Sequence, residues 1–464
     1  MTRRAAAVLV VAFAPLAALW PAADAVANPL DYFGFGARGP GMGNARVALA
    51  DDFSANYYNP AGLALRGALQ IELGYALVMP SLELDGHDLE VDGVRGFQGG
   101  LVVPGDVWGH RLAVSLGVYL PDQRITRLRA LPESQPRFAL YDNHPQRLVL
   151  TTSLAFEILK DTLFVGAGLT YLSDTKGRLD VAGVVDFQDA GGTTLQTAVD
   201  VDFVAARYPS FGLVWKPLRS LSIGLAYREQ FDLTLDIGVI VNGDIVLNAT
   251  SESPVPLVED ARLEIVSQNS NLFSPRQLAL GVAWSHFRPN AGRGERPCWS
   301  LTAELDWYQW SSFVSPTAYL STSLDAGTLP ISIPPNPVPL APGFSDILIP
   351  RLGGELFLFD SEHVELHGRA GAYYEPSPAP AQRGATNFAD GDKIGASLGL
   401  TIALKDLGDA LTRPLFFDIA ASFIAMPERA HDKLDPADPT GSYVSDGHFF
   451  GLATSLRLEF GGEE

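Results

Sequence analysis

From residue 67 onward, apolar and polar positions alternate with a period of two in segment after segment. Between Leu69 and Met79 one face carries Leu69, Ile71, Leu73, Tyr75, Leu77 and Met79, the other Gln70, Glu72, Gly74, Ala76 and Val78. Alternation alone predicts a strand with one apolar face, and a soluble sandwich would show it too. Length decides between them. The segments run to about 10 residues or more, as a tilted strand must to cross a bilayer, whereas ordinary strands have a mode near five or six. The pattern recurs at Leu112, Val114, Leu116 and Val118, at Leu148 to Phe156, and at Leu163 to Tyr171. It returns at Leu301 to Trp307, opposed by Thr302, Glu304 and Asp306, and at Leu452 to Phe460, opposed by Ala453, Ser455, Arg457 and Glu459. The apolar set is expected to face lipid, and the small and charged set a lumen. Aromatic residues close many segments (Tyr119, Tyr227, Trp307, Tyr308, Trp310, Tyr373, Tyr374), as interfacial girdles do.

About fourteen such segments start near residues 67, 94, 111, 147, 162, 206, 221, 274, 299, 346, 364, 391, 415 and 447, an even number as bacterial barrels prefer. The connections sort by length. Long ones (81–93, 121–146, 175–205, 235–273, 312–345, 376–390, 426–446) alternate with short ones (104–110, 158–161, 217–220, 360–363, 405–414), with 287–298 the longest of the second set. Outer-membrane barrels have that asymmetry, long loops outside and short turns in the periplasm, and a sandwich has no reason for it. The fold class expected is therefore all-β, a transmembrane antiparallel β-barrel of about fourteen strands. It occupies residues 66–464.

The N-terminus places the chain outside the cytoplasm. Arg3 and Arg4 precede an apolar run from Ala5 to Leu19, and small residues end at Ala25-Val26-Ala27. That order reads as a cleavable signal peptide, residues 1–27, rather than a membrane helix. The single cysteine, Cys298, excludes an internal disulfide framework. A net charge of −20 argues against nucleic acid as a partner. Acidic outer loops suit divalent cations held by lipopolysaccharide, and a monomer in outer-membrane lipid is expected.

A barrel of about fourteen strands is too wide for its own side chains to fill and needs a plug. Residues 28–65, rich in glycine and without strand alternation, are the candidate hatch. They contain G-A-R-G-P-G-M-G-N-A (Gly36 to Ala45) and A-D-D-F-S-A-N-Y-Y-N-P-A-G-L-A (Ala50 to Ala64). Further along stand S-P-R-Q-L-A-L-G-V-A-W from Ser274, D-W-Y-Q-W-S-S-F from Asp306, and R-A-G-A-Y-Y-E-P-S-P from Arg369. In this order the motifs resemble the FadL/TodX family of outer-membrane channels for long-chain fatty acids and other hydrophobic compounds. The resemblance implies hatch residues at Asn59, Pro60 and Ala61, with Gly41 and Gly43, and a sideways opening of the wall at an inward-kinked strand. Gly117 and Pro121 are the candidate kink, since both loosen ladder pairing. The Gly-Gly-Glu-Glu tail after Phe460 departs from barrels that end on an aromatic residue.

Other candidates follow from chemistry. Glu304, Asp306, Glu355, Glu365, His367 and Arg369 lie on inward faces, where Arg38, Arg46, Asp51 and Asp52 are potential partners; a static network and a breakable latch both fit. For a carboxylate headgroup the basic residues near outer strand ends are Arg124, Arg127, Arg129, Arg147, Arg276 and Lys393, each of which reads first as a surface or lipopolysaccharide contact. Gly34, Gly36 and Gly39 spell a dinucleotide fingerprint but lack the preceding strand it needs. His431, Asp432, Asp435 and Asp438 read as a solvated acidic loop before a metal site. No cofactor is implied, and no Ser/His/Asp set accompanies a nucleophile motif, so an enzyme is not expected. Rival readings are an aromatic or alkane hydrocarbon channel, a general diffusion porin and a surface adhesin.

Overall fold

The computed structural model describes residues 30–123, 135–141, 147–186, 194–247, 255–287, 297–313, 319–325, 341–405 and 413–461. The signal peptide expected at 1–27 lies outside them, as do Arg124, Arg127 and Arg129. The first strands are β1 (Ala68–Leu84), the short β2 (His87–Asp88), β3 (Val94–Val107), β4 (His110–Pro121), β5 (Val149–Leu159) and β6 (Leu163–Asp186). Next come β7 (Thr194–Leu218), β8 (Leu221–Arg228), β9 (Phe231–Leu247), β10 (Val255–Ser274), β11 (Gln277–His286) and β12 (Trp299–Tyr308). The chain ends with β13 (Tyr319–Asp325), β14 (Ile347–Asp360), β15 (Val364–Glu375), β16 (Lys393–Leu404), β17 (Leu415–His431) and β18 (Tyr443–Gly461).

Fourteen of these strands close into an antiparallel barrel. Its order is β1-β3-β4-β5-β6-β7-β8-β11-β12-β14-β15-β16-β17-β18. The seam joins β1 to β18 in unbroken register from Ala68↔Gly461 to Leu84↔Ser445. The two faces divide as the alternation predicts. Gln70, Glu72, Ser115, Thr302, Glu304, Asp306 and Arg457 are buried on the inside. Ile71, Leu73, Val114, Leu116, Leu154, Leu301, Leu305 and Leu456 are exposed on the outside, and this apolar band has the character of a lipid-facing wall.

At the end where β1 begins, β3–β4, β5–β6, β7–β8 and β14–β15 join by tight turns. Between β3 and β4 only Trp108 and Gly109 intervene, both at positive φ (55° and 78°), the geometry that matches hairpin twist. At the opposite, upper end the structure corrects the expected loops. Residues 175–205 are largely strand, because β6 and β7 remain paired up to Val184↔Thr194. The stretch 235–273 holds most of β9 and β10, and 312–345 holds β13. These pieces form a sheet above the barrel. Past Leu172 the edge of β6 has no β5 beside it, and β9 takes that edge in parallel, Gly177↔Ile237 to Asp186↔Val246. An open edge of unpaired N–H and C=O groups is thereby covered. The sequence carried the signal: Leu233, Leu235, Ile237, Val239 and Val241 keep the period of two.

Because the wall sorts its faces so sharply, Leu73→Arg, placing a charge on the apolar band, should cost about 2–4 kcal/mol if the site lies near the bilayer midplane. Denaturant unfolding of the lipid-inserted barrel measures this, with Glu83→Arg at the upper end of the same strand expected to cost far less.

Candidate functional site

Residues 30–65 make no strand. They wind through short helical turns (Leu30–Phe33, Pro40–Met42, Ala55–Tyr58 and Pro60–Ala64) and are almost wholly buried. Their contacts run around the inside of the wall. Gly36 N–H donates to Gln98 of β3 (3.0 Å), and Asn56 donates to Ser115 of β4 (2.6 Å). Ser222 of β8 donates to Ala48 O (2.8 Å), Val47 N–H donates to Glu304 of β12 (2.8 Å), and Gly43 N–H donates to Ser397 of β16 (3.0 Å). Wall glycines make room for this. A Cβ at Gly166 or Gly212 would overlap Pro60, Ala61 or Asn59, and one at Gly371 would overlap Met42 and Gly43.

The hatch candidates occupy these seats. Asn59 has extended backbone (φ −164°) and three side-chain hydrogen bonds. Its Oδ1 accepts from Ala61 N–H (3.1 Å), which starts the turn, while Nδ2 donates to Val47 O (2.8 Å) and to Leu213 O of β7 (3.1 Å). The local turn and the grip on the wall are thus made by one amide. Pro60 and Ala61 lie against Gly166 and Gly212, Gly41 against Gly399, and Gly43, at φ +62°, against the β15 backbone. At the candidate kink, β4 is paired through Gly117 on both sides, with Gly100 and with Thr151. The absent Cβ of Gly117 instead leaves space for the Phe35 ring. Pro121 pairs only with Gly96, since the ladder to β5 stops at Tyr119↔Val149.

The inward charges resolve into separate spots rather than one network. Glu355 takes Arg369 at 2.5 Å and lies 3.7 Å from Arg38. Arg369 also reaches Asp418 (2.9 Å), and Arg38 reaches Asp51 and Asp52 (2.6 and 2.8 Å), so a chain of ion pairs ties segment to wall. Asp306 pairs with Arg351 (2.6 Å) beside Glu304. Glu365 and His367 pair with each other, and Glu365 with Lys405 (3.3 Å). Burial alone would raise Asp51 and Asp52, but Arg38, Arg46 and, for Asp51, Arg66 outweigh it and hold both carboxyls below their ordinary range. Asp418 and Arg351 are not singled out by the sequence pattern, and Arg457 is marked there only by its inward position. Asp418 sits between Phe416 and Ala420 on the inward face of β17, and that alternation was the available signal.

On the upper side of the segment lies a cavity walled by Val78, Leu140, Tyr141, Tyr308, Trp310, Tyr373, Ile424 and Phe449. It leaves about 40 Å³ to the centre of a water-sized sphere. That is room for a few waters. A second, more polar cavity shares Asp31, Asn44, Tyr308 and Arg351 with it and extends toward Tyr57, Arg228 and Glu304. Of the basic residues proposed for a headgroup, Lys393 lines the first cavity, paired with Asp390 and Glu375 (3.2 Å each). Arg276 pairs with Glu229 (2.8 Å), and Arg147 is buried and donates to Ser173 O (3.0 Å). At His431, Nδ1 accepts from Gln382 N–H (3.0 Å) and Nε2 meets Ser445 (2.9 Å).

A closed barrel with an apolar outer band and its own N-terminal segment in the bore defines a membrane-spanning β-barrel of the plugged kind. The chain belongs to the outer membrane protein transport protein family (OMPP1/FadL/TodX), whose family model matches residues 20–425. It is 28% identical over 244 residues to alkane uptake protein A of Marinobacter nauticus, a match covering 52% of this chain and 46% of that relative, under half its length. A Pseudomonas aeruginosa FadL homologue shares the fold at a TM-score of 0.53 and 16% identity, over 94% of this chain and 99% of that one. The Pseudomonas putida toluene transporter TodX does so at 0.50 and 16%, over 92% and 98%.

Asn59→Ala would strip two buried carbonyls of their donor, at about 1–3 kcal/mol. Amide exchange in residues 59–64 should quicken while the barrel ladders stay protected. A pH series tests the ion pairs. Depressed carboxyls contribute stability that is full above the unfolded value, about 4, and lost as pH falls through the folded one. Single-channel conductance of the purified barrel should therefore stay low from pH 8 to about 4 and rise only below.

Proposed function

We propose that this protein is a passive outer-membrane channel for the uptake of hydrophobic small molecules, long-chain fatty acids or neutral hydrocarbons. The observation that carries the reading is the aromatic-walled cavity directly above a bore filled by the chain's own segment. Residues 1–27 are the exported leader, 28–65 the hatch and 66–464 the barrel. Outer loops collect the cargo, the cavity holds it, and movement of the hatch releases it.

Energetics explain why a hatch is needed. Each buried methylene is worth about 0.8 kcal/mol, so a sixteen-carbon chain gains on the order of 10 kcal/mol in an apolar site. Capture is easy and release is hard. A cavity with room for only a few waters must enlarge to take such a chain, and the seat of Asn59, Pro60 and Ala61 against β6 and β7 is where a shift of the segment would begin. Sideways release suits the upper ends of β4 and β5, where pairing stops short of Pro121. Support comes from the family, a transport family, and from the relative named for alkane uptake. A general diffusion porin fits less well, because polar solutes need an open bore.

Uptake of labelled toluene and labelled oleate, in cells lacking their own hydrophobic channel, tests this reading. Saturable uptake of at least one, reduced by Asn59→Ala, is expected. Uptake of neither, with the barrel correctly inserted, would return the porin and adhesin readings.

A further inference from the structure

We infer that the cargo is uncharged: the site above the segment selects neutral hydrophobes and rejects carboxylates. The inference rests on the uptake reading and narrows its substrate class.

Among the described residues, the two cavities are lined by three cations, Arg228, Arg351 and Lys393. Each already holds a carboxylate. Arg351 binds Asp306 through Nε at 2.6 Å, and its guanidinium lies 4.7 Å from the centre of the Tyr373 ring. Lys393 lies 3.2 Å from both Asp390, which is fully buried, and Glu375, and 5.7 Å from the Tyr141 ring centre. Arg228 pairs with Asp31 at 3.1 Å, donates to Tyr57 O at 2.6 Å and lies over the Tyr57 ring at 3.9 Å.

Four lining carboxylates, Asp31, Glu304, Asp306 and Glu375, therefore face three cations, and Asp390 pairs with Lys393 besides. Were one of the adjacent Glu304 and Asp306 protonated, the lining charges would balance, and each cation would still have a carboxyl group beside it. An ionised headgroup entering here finds each lining cation already matched, and it gains an arginine only by expelling a buried carboxylate that then has nowhere to go. Each cation also lies near the face of an aromatic ring, which satisfies part of its charge. A neutral hydrocarbon meets none of these costs. Tyr308, Trp310, Tyr373 and Phe449 offer it aromatic faces and edges.

A matched pair of ligands isolates the charge. The full chain in lipid nanodiscs, against protein-free nanodiscs, is titrated with naphthalene and with 2-naphthoate at pH 7.5. Naphthalene should bind saturably and 2-naphthoate at least about tenfold more weakly, a 1.4 kcal/mol difference. Glu375→Gln, at a partly exposed side chain, and Asp306→Asn each remove a competing carboxylate, so each should narrow the ratio. Heat-modified mobility on a gel confirms that the variants are folded. Equal or tighter binding of 2-naphthoate, or a ratio unmoved in both folded variants, overturns charge selection. Binding of neither ligand to a folded barrel instead overturns the uptake reading and the inference with it.

Discussion

The ladder between β1 and β18 is the constraint on which the rest of the molecule depends. In hydrocarbon no water completes a backbone hydrogen bond, so a sheet that spans a bilayer must close on itself. This one closes over seventeen residues of each strand with no register shift. Closure with fourteen strands then creates a second problem, a bore wider than the wall's own side chains can fill. The chain fills it with residues 30–65, and much of the interior chemistry follows from that choice.

A segment packed against a barrel wall brings its own unpaired backbone groups into a buried space. The wall answers them with Gln98, Ser222, Glu304 and Ser397, while Ser115 accepts from the Asn56 side chain, so the segment is held from many sides. Where the two backbones approach most closely the wall has glycine, as at Gly166, Gly212 and Gly371. The ion pairs through Arg38, Glu355, Arg369 and Asp418 add little net stability for their burial, but they penalise any other seating of the segment. Such an arrangement is firm in one position and costly between positions.

The cavity depends on the same economy of charge. Its cations serve the wall before they serve a ligand. Lys393, one of six basic residues weighed in the sequence for a carboxylate headgroup, lines the first cavity with its charge already matched by Asp390 and Glu375. Arg351, which the sequence did not single out, forms part of both cavities because β14 places it opposite Glu304 of β12, within reach of Asp306 on the diagonal. Position along a strand was legible; partnership across strands was not.

The sequence by itself determined the barrel. Strand starts expected near 67, 94, 111, 221, 299, 364 and 415 fall within a residue or so of β1, β3, β4, β8, β12, β15 and β17, because one apolar and one polar face impose a period of two wherever a wall separates lipid from lumen. It also marked Asn59, whose turn-making chemistry is local. Only the tertiary structure decided which strands leave the barrel to build the upper sheet, since β9 and β10 carry the same alternation as wall strands and differ only in what they pair with. It alone decided that Asn59 also grips β7, that Gly117 seats Phe35 within an unbroken ladder, and that each cavity cation has a carboxylate at hand. Those facts join residues up to 197 positions apart, and a pattern with a period of two carries no information about which inward face meets which.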